Sequence, residues 1–261
     1  MPHSLSEIDI IAKRKLPIIF VIDSSCSLRG LPIALINRMM NFCIESLKTL
    51  NSEKIDYDIV LSILEFNQTC NWITGDCLVL PKDFVWENIF AVSVGVISNV
   101  AIELSQKMSR KVLFSGGTGY LRPIVVFITD GASSSLDEEI AESIKKLREN
   151  MWFHRSIRIA VSIGKISDMQ VLNELVGVGG VILEVNELST DNLDLLTPLL
   201  SHLFTNLLEY GSWINFHYFT QELDLLTIYR VVDTPILGVE RVQIALRSNN
   251  EENESWNEDD W

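Results

Sequence analysis

The run Pro123-Ile124-Val125-Val126-Phe127-Ile128-Thr129, closed by Asp130-Gly131, constrains the fold more than any other part of the chain. An unbroken apolar, β-branched stretch of that length needs cover on both faces, which points to a central strand of a parallel sheet. The segments around it alternate in period. Residues 16–22 read as a short buried strand ending in Asp23-Ser24-Ser25-Cys26-Ser27. Residues 31–50 then place Leu35, Met39, Phe42, Leu47 and Leu50 at helical spacing. Residues 57–66 and 69–73 read as a hairpin around Asn67 and Gln68, which predicts one antiparallel edge strand. Helices are expected over 99–108, 136–149, 168–176 and 191–208, and strands over 157–163 and 180–185. The 136–149 helix has acids in its first turn and bases in its last, as the helix dipole favours. Strands alternating with helices over some 200 residues imply an α/β fold: a doubly wound, mostly parallel central sheet with helices on both faces.

Beyond Gly211 the pattern changes. Residues 214–220, 226–232 and 241–247 alternate like strands without intervening helices, so a small C-terminal β appendage is expected over 211–247. The predicted organisation is a domain over 1–210 with its core in 16–208, the appendage, and an acidic tail over 248–261. The tail is rich in Asn, Glu, Ser and Asp and has too little apolar surface to order itself. No internal repeat is present.

The chain has 261 residues, is 47% hydrophobic, and carries a formal net charge of -14. Six acids and no base lie in the last fourteen residues, which leaves -8 for the body. A surface that acidic repels polyphosphate and argues against a nucleic-acid partner. No apolar run approaches the roughly 20 residues of a membrane span, so no membrane partner is expected. The basic Lys13-Arg14-Lys15 before residues 16–22 mimics a secretion signal. That apolar stretch stops after seven residues at Asp23 and is better read as a strand. Cys26, Cys43, Cys70 and Cys77 show neither CxxC spacing nor a disulfide framework, and are read as reduced thiols of a cytoplasmic protein.

In an open parallel sheet the ligand crevice lies at the carboxyl ends of the strands, and Asp23 and Asp130 close two of them. Within Asp23-Ser24-Ser25-Cys26-Ser27 the oxygen-bearing Asp23, Ser25 and Ser27 fall at i, i+2 and i+4, so a looping backbone can aim all three at one point. Converging hard oxygens suit Mg²⁺ or Mn²⁺. Equally, the serines could cap the following helix and brace the loop, with Asp130 anchoring it, and no ion would be needed.

Asp23-x-Ser25-x-Ser27 with Gly30 shortly after, together with Thr129-Asp130-Gly131, resembles the metal-ion-dependent adhesion site (MIDAS) of von Willebrand factor type A domains. Arg110-Lys111 and the stretch from Gly119 to Gly131 are similar to the bacterial cytoplasmic subgroup that includes the tellurium-resistance TerY-like proteins. The resemblance covers about residues 16–208. It implies that Asp23, Ser25, Ser27 and Asp130 hold the ion, directly or through water, and that a carboxylate of a protein partner completes its shell. It further implies work beside a Ser/Thr kinase and a PP2C-type phosphatase in stress response or phage defence. The family's Gly-Gly-Thr loop supplies a further oxygen, and here Val94-Gly95-Val96 stands in its place. Valine has no lone pair to give; Ser93 or Ser98 would substitute only in a shifted register. Gly116-Gly117-Thr118 copies the letters in a different loop, and Ser133-Ser134-Ser135 replaces the usual Pro-Thr-Asp.

Enzyme motifs are missing: GxGxxG after a strand, the Walker loop, GxSxG and HExxH are all absent, and His3, His154, His202 and His217 are scattered singly. The expectation is a non-enzymatic interaction module. One alternative is a metal-independent scaffold that binds through the appendage and through Trp256 and Trp261 of the tail, set among acids as anchors for a partner. The other is a magnesium-dependent phosphohydrolase with Asp23 as nucleophile, which lacks the second carboxylate such sites carry, since Ser25 stands there.

Overall fold

A six-stranded sheet in the order β3-β2-β1-β4-β5-β6 organises the computed structural model. The structure describes residues 13–53, 57–115, 119–131, 138–163, 169–177 and 180–185. The strands are β1 (Arg14–Asp23), β2 (Tyr57–Phe66), β3 (Cys70–Trp72), β4 (Ile124–Thr129), β5 (Ile157–Ile163) and β6 (Val181–Val185). All neighbouring pairs are parallel except β2 and β3. The run around Val126 is therefore an inner strand between β1 and β5, buried at every position, and the hairpin supplies the antiparallel edge. The helices are α1 (Leu31–Glu53), α2 (Ile97–Lys107), α3 (Glu138–Glu149), α4 (Met151–His154) and α5 (Met169–Val176).

The two-residue period of the strands divides the core into two layers. Ile18, Phe20 and Ile22 of β1 and Ile124, Val126 and Ile128 of β4 face α1, whose Leu35, Met39, Cys43 and Leu47 recur at helical spacing. Ile19, Val21, Val125 and Phe127 point the other way, into a layer closed by Val100 and Leu104 of α2, Ile144 and Leu147 of α3 and Leu172 and Leu175 of α5. Helices on both faces of a mostly parallel sheet make the fold doubly wound.

Three local features differ from the sequence reading. β3 is only three residues long: Ile73 N–H still donates to the Ile63 carbonyl at 2.9 Å, but the Thr74 hydroxyl takes the Ile63 N–H at 3.1 Å, and a paired bridge returns at Leu61 and Val79. The short helix α4 was not expected; Asn150 caps it by accepting from the N–H groups of Trp152 and Phe153 at 2.9 and 3.2 Å. Residues 84–96 cross from the β2–β3 edge to α2 without regular structure. The expected helix over 191–208, the appendage over 211–247 and the tail over 248–261 lie outside the described residues, as do residues 116–118 and 133–135. No helix among the described residues is long and apolar enough to cross a membrane.

Candidate functional site

Asp23 is the last residue of β1, in register with Phe66 at the end of β2. The pairing runs one residue further, since Ser24 N–H donates to the Phe66 carbonyl at 2.8 Å. The Ser24 hydroxyl also donates to that carbonyl, at 3.3 Å, and accepts from the Asn67 side-chain amide at 3.1 Å. With Ser24 fixed, the chain turns at Ser25. Its N–H donates to Asp23 Oδ1 at 2.8 Å, an Asx-type turn that lifts the following residues over the carboxylate. A single 3₁₀ turn, Cys26–Leu28, then brings the Ser25 and Ser27 hydroxyls to 2.9 Å from each other.

The other carboxyl oxygen of Asp23 is held from across the sheet. Thr129, the last residue of β4, donates its hydroxyl to Asp23 Oδ2 at 2.6 Å and accepts the Gly131 N–H at 3.0 Å. Gly131 takes φ of 65°, which lets the chain leave β4 sharply and places buried Asp130 beside Asp23. The strand ends thus bring Asp23, Ser25 and Asp130 to the same buried rim, with Ser27 exposed at its lip. Burial pushes the Asp23 carboxyl up to about 6; the hydrogen bonds from Thr129 and Ser25 oppose this, and the Asp130 charge adds to it.

The loop before α2 forms the third wall. Val92 N–H donates to Ser24 O and Cys26 N–H to Ser93 O, each at 2.8 Å, so this stretch runs directly against the serine loop. Val96 N–H donates to the Asn67 carbonyl at 3.1 Å. Gly95 lies so close that a Cβ there would stand 3.3 Å from Ser25 Cβ, 3.5 Å from Ser25 Oγ and 3.6 Å from Asp23 Oδ1. The wall aligned with Gly-Gly-Thr is therefore in place, with half-buried Val96 just ahead of α2. Ser93 does not stand in for the threonine: its hydroxyl donates to Gln68 Oε1 at 3.1 Å. Ser98 lies buried in the first turn of α2.

The bracing roles differ from those the sequence suggested. Ser25 precedes the 3₁₀ turn without a side-chain cap bond, and Ser24 carries the hydroxyl-to-backbone brace. Thr129 fastens Asp23 from β4. Both were legible only as polar residues inside the two motifs, because their partners are 42 and 106 residues away. Trp256 and Trp261 lie outside the described residues.

The candidate donor set, Asp23, Asp130, Ser25 and Ser27, is two carboxylates and two hydroxyls. No group of three or more His, Cys, Asp or Glu side chains that could hold a metal ion stands together among the described residues; the oxygens here are of the type a hard cation takes. Adjacent ligands of an octahedral Mg²⁺ at about 2.0 to 2.1 Å are about 2.9 Å apart. The Ser25–Ser27 hydroxyl separation of 2.9 Å matches that edge, and without a cation it is a hydrogen bond. The residues present fit a divalent ion, with one hydroxyl fewer than the family pattern.

No family model and no curated protein matches the sequence. Solved structures do match in fold. A von Willebrand factor type A protein from Catenulispora acidiphila superposes with a TM-score of 0.50 at 10% identity, covering 72% of this chain and 42% of that one. Proximal thread matrix protein 1 from the mussel byssus, with a zinc-occupied MIDAS motif, gives 0.51 at 17% identity, with 72% and 48% covered. The pilus adhesin SpaC from Lactobacillus rhamnosus GG gives 0.51 at 9% identity, with 74% and 30% covered. The chain spans less than half the length of each. At these identities the likeness is one of architecture, and the described residues have the fold of a von Willebrand factor type A domain.

Proposed function

We propose that the chain is a non-enzymatic protein-interaction module whose crevice above Asp23 and Asp130 holds Mg²⁺ or Mn²⁺ and offers one coordination position to a carboxylate of a protein partner. The observation that carries this reading is the pair of Ser25 and Ser27 hydroxyls, 2.9 Å apart, set above a buried carboxylate that Thr129 and the Ser25 backbone hold in place. Both Asp23 oxygens already accept protein hydrogen bonds. Asp23 would therefore act chiefly through charge and ordered water, while the Ser25 and Ser27 hydroxyls would supply direct oxygens. The divalent charge would polarise the partner's carboxylate, and the chain's own residues fix where that carboxylate arrives.

The resemblance of Arg110-Lys111 and of the stretch from Gly119 to Gly131 to the TerY-like subgroup supports a cytoplasmic placement beside a Ser/Thr kinase and a PP2C-type phosphatase, in stress response or phage defence. Val96 favours a second reading, a scaffold that binds without metal through residues 211–261. A capture experiment on the full chain with purified candidate partners, run in 5 mM MgCl₂ and in EDTA, separates the two. Capture lost in EDTA and in Ser27→Ala supports the metal crevice. Capture that survives both removes it in favour of the scaffold.

A further inference from the structure

Acids outnumber bases 35 to 21 in this chain, so a stretch that carries bases alone stands out. Residues 104–129 hold Lys107, Arg110, Lys111 and Arg122 and no acid; residues 10–22 hold Lys13, Arg14 and Lys15 and no acid. The fold joins the two stretches where β1 and β4 begin. Lys15 N–H donates to the Gly119 carbonyl at 3.0 Å, and Leu121 N–H donates to the Lys15 carbonyl at 2.8 Å. A Cβ on Gly119 would stand 3.7 Å from Arg14 Cγ. Arg110 and Lys111 lie in the turn after α2, which the Val112 and Phe114 N–H groups close by donating to the Ser109 carbonyl at 3.2 and 3.0 Å. That turn is pinned to Tyr120. The Phe114 and Tyr120 rings meet edge-on at 5.4 Å, and the Tyr120 hydroxyl donates to the Ser115 carbonyl at 2.8 Å. Lys15 Nζ lies 5.8 Å from the centre of the same tyrosine ring.

The other bases of these stretches have partners. Lys13 pairs with Asp58 at 3.5 Å and Lys107 with Asp76 at 2.5 Å, while Arg122 Nε–H donates to the Arg155 carbonyl at 2.8 Å. Arg14, Lys15, Arg110 and Lys111 make no ion pair among the described residues. Arg14, Arg110 and Lys111 are exposed and Lys15 is half-buried. Four cations therefore stand on a frame fixed by backbone bonds and ring contacts, and an anion laid across them relieves their mutual repulsion. The guanidinium forks of Arg14 and Arg110 match the two oxygens of a carboxylate. A lipid surface or a nucleic acid spreads its charge well beyond this patch and would also meet the acidic remainder of the chain. With a screening length of about 8 Å at physiological salt, the patch attracts best a ligand small enough to touch it alone. A short polypeptide segment is such a ligand.

We propose that the face formed by Arg14, Lys15, Arg110 and Lys111 binds an acidic segment of a protein partner, its carboxylates resting on the four cations. The face lies at the opposite end of β1 from Asp23, about 30 Å away at the rise of a strand. One partner at the crevice and another at this face can thus be held together. The assignment needs no metal and does not depend on the reading of Asp23, Ser25, Ser27 and Asp130.

Fluorescence anisotropy on the full chain tests it, in EDTA so that the crevice holds no ion. The probe is a fluorescein-labelled twelve-residue peptide of alternating Glu and Gly, with Gln for Glu in the control peptide. The acidic peptide is expected to bind, more weakly in 200 mM NaCl than in 50 mM, and the control peptide is not. The doubles Arg110→Gln/Lys111→Gln and Arg14→Gln/Lys15→Gln should each weaken binding about fivefold. Arg29→Gln/Lys82→Gln removes the same charge from exposed residues outside the face and should stay within about twofold of the wild type. An acidic peptide that does not bind overturns the proposal, and so does equal weakening by all three doubles, which would make binding a matter of total charge. Cosedimentation with vesicles containing 30% phosphatidylserine, lost in Arg110→Gln/Lys111→Gln while the peptide fails to bind, overturns it in favour of an anionic lipid surface. Magnesium titration of the same proteins tests the crevice separately, so either reading can fail alone.

Discussion

Asp23 occupies a position that an ionised carboxylate fills at a cost, and the cost can be measured. Burial holds its pKa near 6, against 3.8 for an exposed aspartate. Because the folded value is the higher one, between about pH 4 and 6 the native state binds more protons than the unfolded chain, and stability falls as pH rises through that window. The displacement corresponds to about 3 kcal/mol at pH 7 and to about 1 kcal/mol at pH 4.5, where most native Asp23 is already protonated. Asp23→Asn removes the charge and keeps the shape. Any hydrogen bond it loses to Thr129 or to the Ser25 N–H is lost equally at both pH values and cancels between them. Urea denaturation in EDTA should therefore show the stability of the variant relative to the wild type falling by about 2 kcal/mol from pH 7 to pH 4.5. A relative stability constant to within about 0.5 kcal/mol would refute the argument that burial penalises this charge. Magnesium should narrow the difference at pH 7. At 10 mM against a Kd of about 1 mM, Mg²⁺ adds about 1.4 kcal/mol to the wild type and nothing to the variant. A residue that weakens the empty fold and regains part of that loss when the ion binds is the pattern of a site maintained for binding.

Three other substitutions probe the walls of the same site. Val96→Thr restores a hydroxyl where the family pattern has one and should raise magnesium affinity about tenfold by calorimetry, since affinity follows the number of oxygen ligands; an unchanged affinity would show that this side chain does not reach the ion. Thr129→Val removes the donor to Asp23 Oδ2 and the acceptor for Gly131 N–H, and should cost about 2 kcal/mol in urea denaturation. The same change drives the Asp23 pKa further up, so its magnesium binding should weaken at pH 6.5 and recover by pH 8. Asn37→Ala strips partners from Ile89 and Trp86, both buried, and should cost about 2 to 3 kcal/mol while speeding amide exchange across residues 86–90.

The chain shows its sheet more openly than its site, and the difference is one of range. A parallel strand covered on both faces declares itself in its own residues, as Ile124–Thr129 does, and a helix facing one layer declares itself in the spacing of Leu35, Met39 and Leu47. Asp23, Ser25, Ser27 and Asp130 could be placed on one rim because that rim is where parallel strands end. Some local signals are short, such as the capping Asn150 ahead of the four-residue α4. What the linear pattern could not carry were contacts whose two halves lie far apart. Thr129 looks in sequence like the closing residue of a strand, and Ser24 like the spacer of a motif. Only the register of β1 against β4 and β2 makes the first a donor to Asp23 and the second a brace on Phe66. Residues 92–96 show the same limit from the other side. Read against the family they are defined by a missing threonine, whereas in the fold their backbone is the third wall, hydrogen-bonded to the serine loop by Val92 and Ser93 and close-packed on Ser25 by Gly95. In an ion-free state that wall needs no metal to stay closed. The valine at position 96 therefore leaves in place the scaffold on which the oxygens of Asp23 and Ser25 stand.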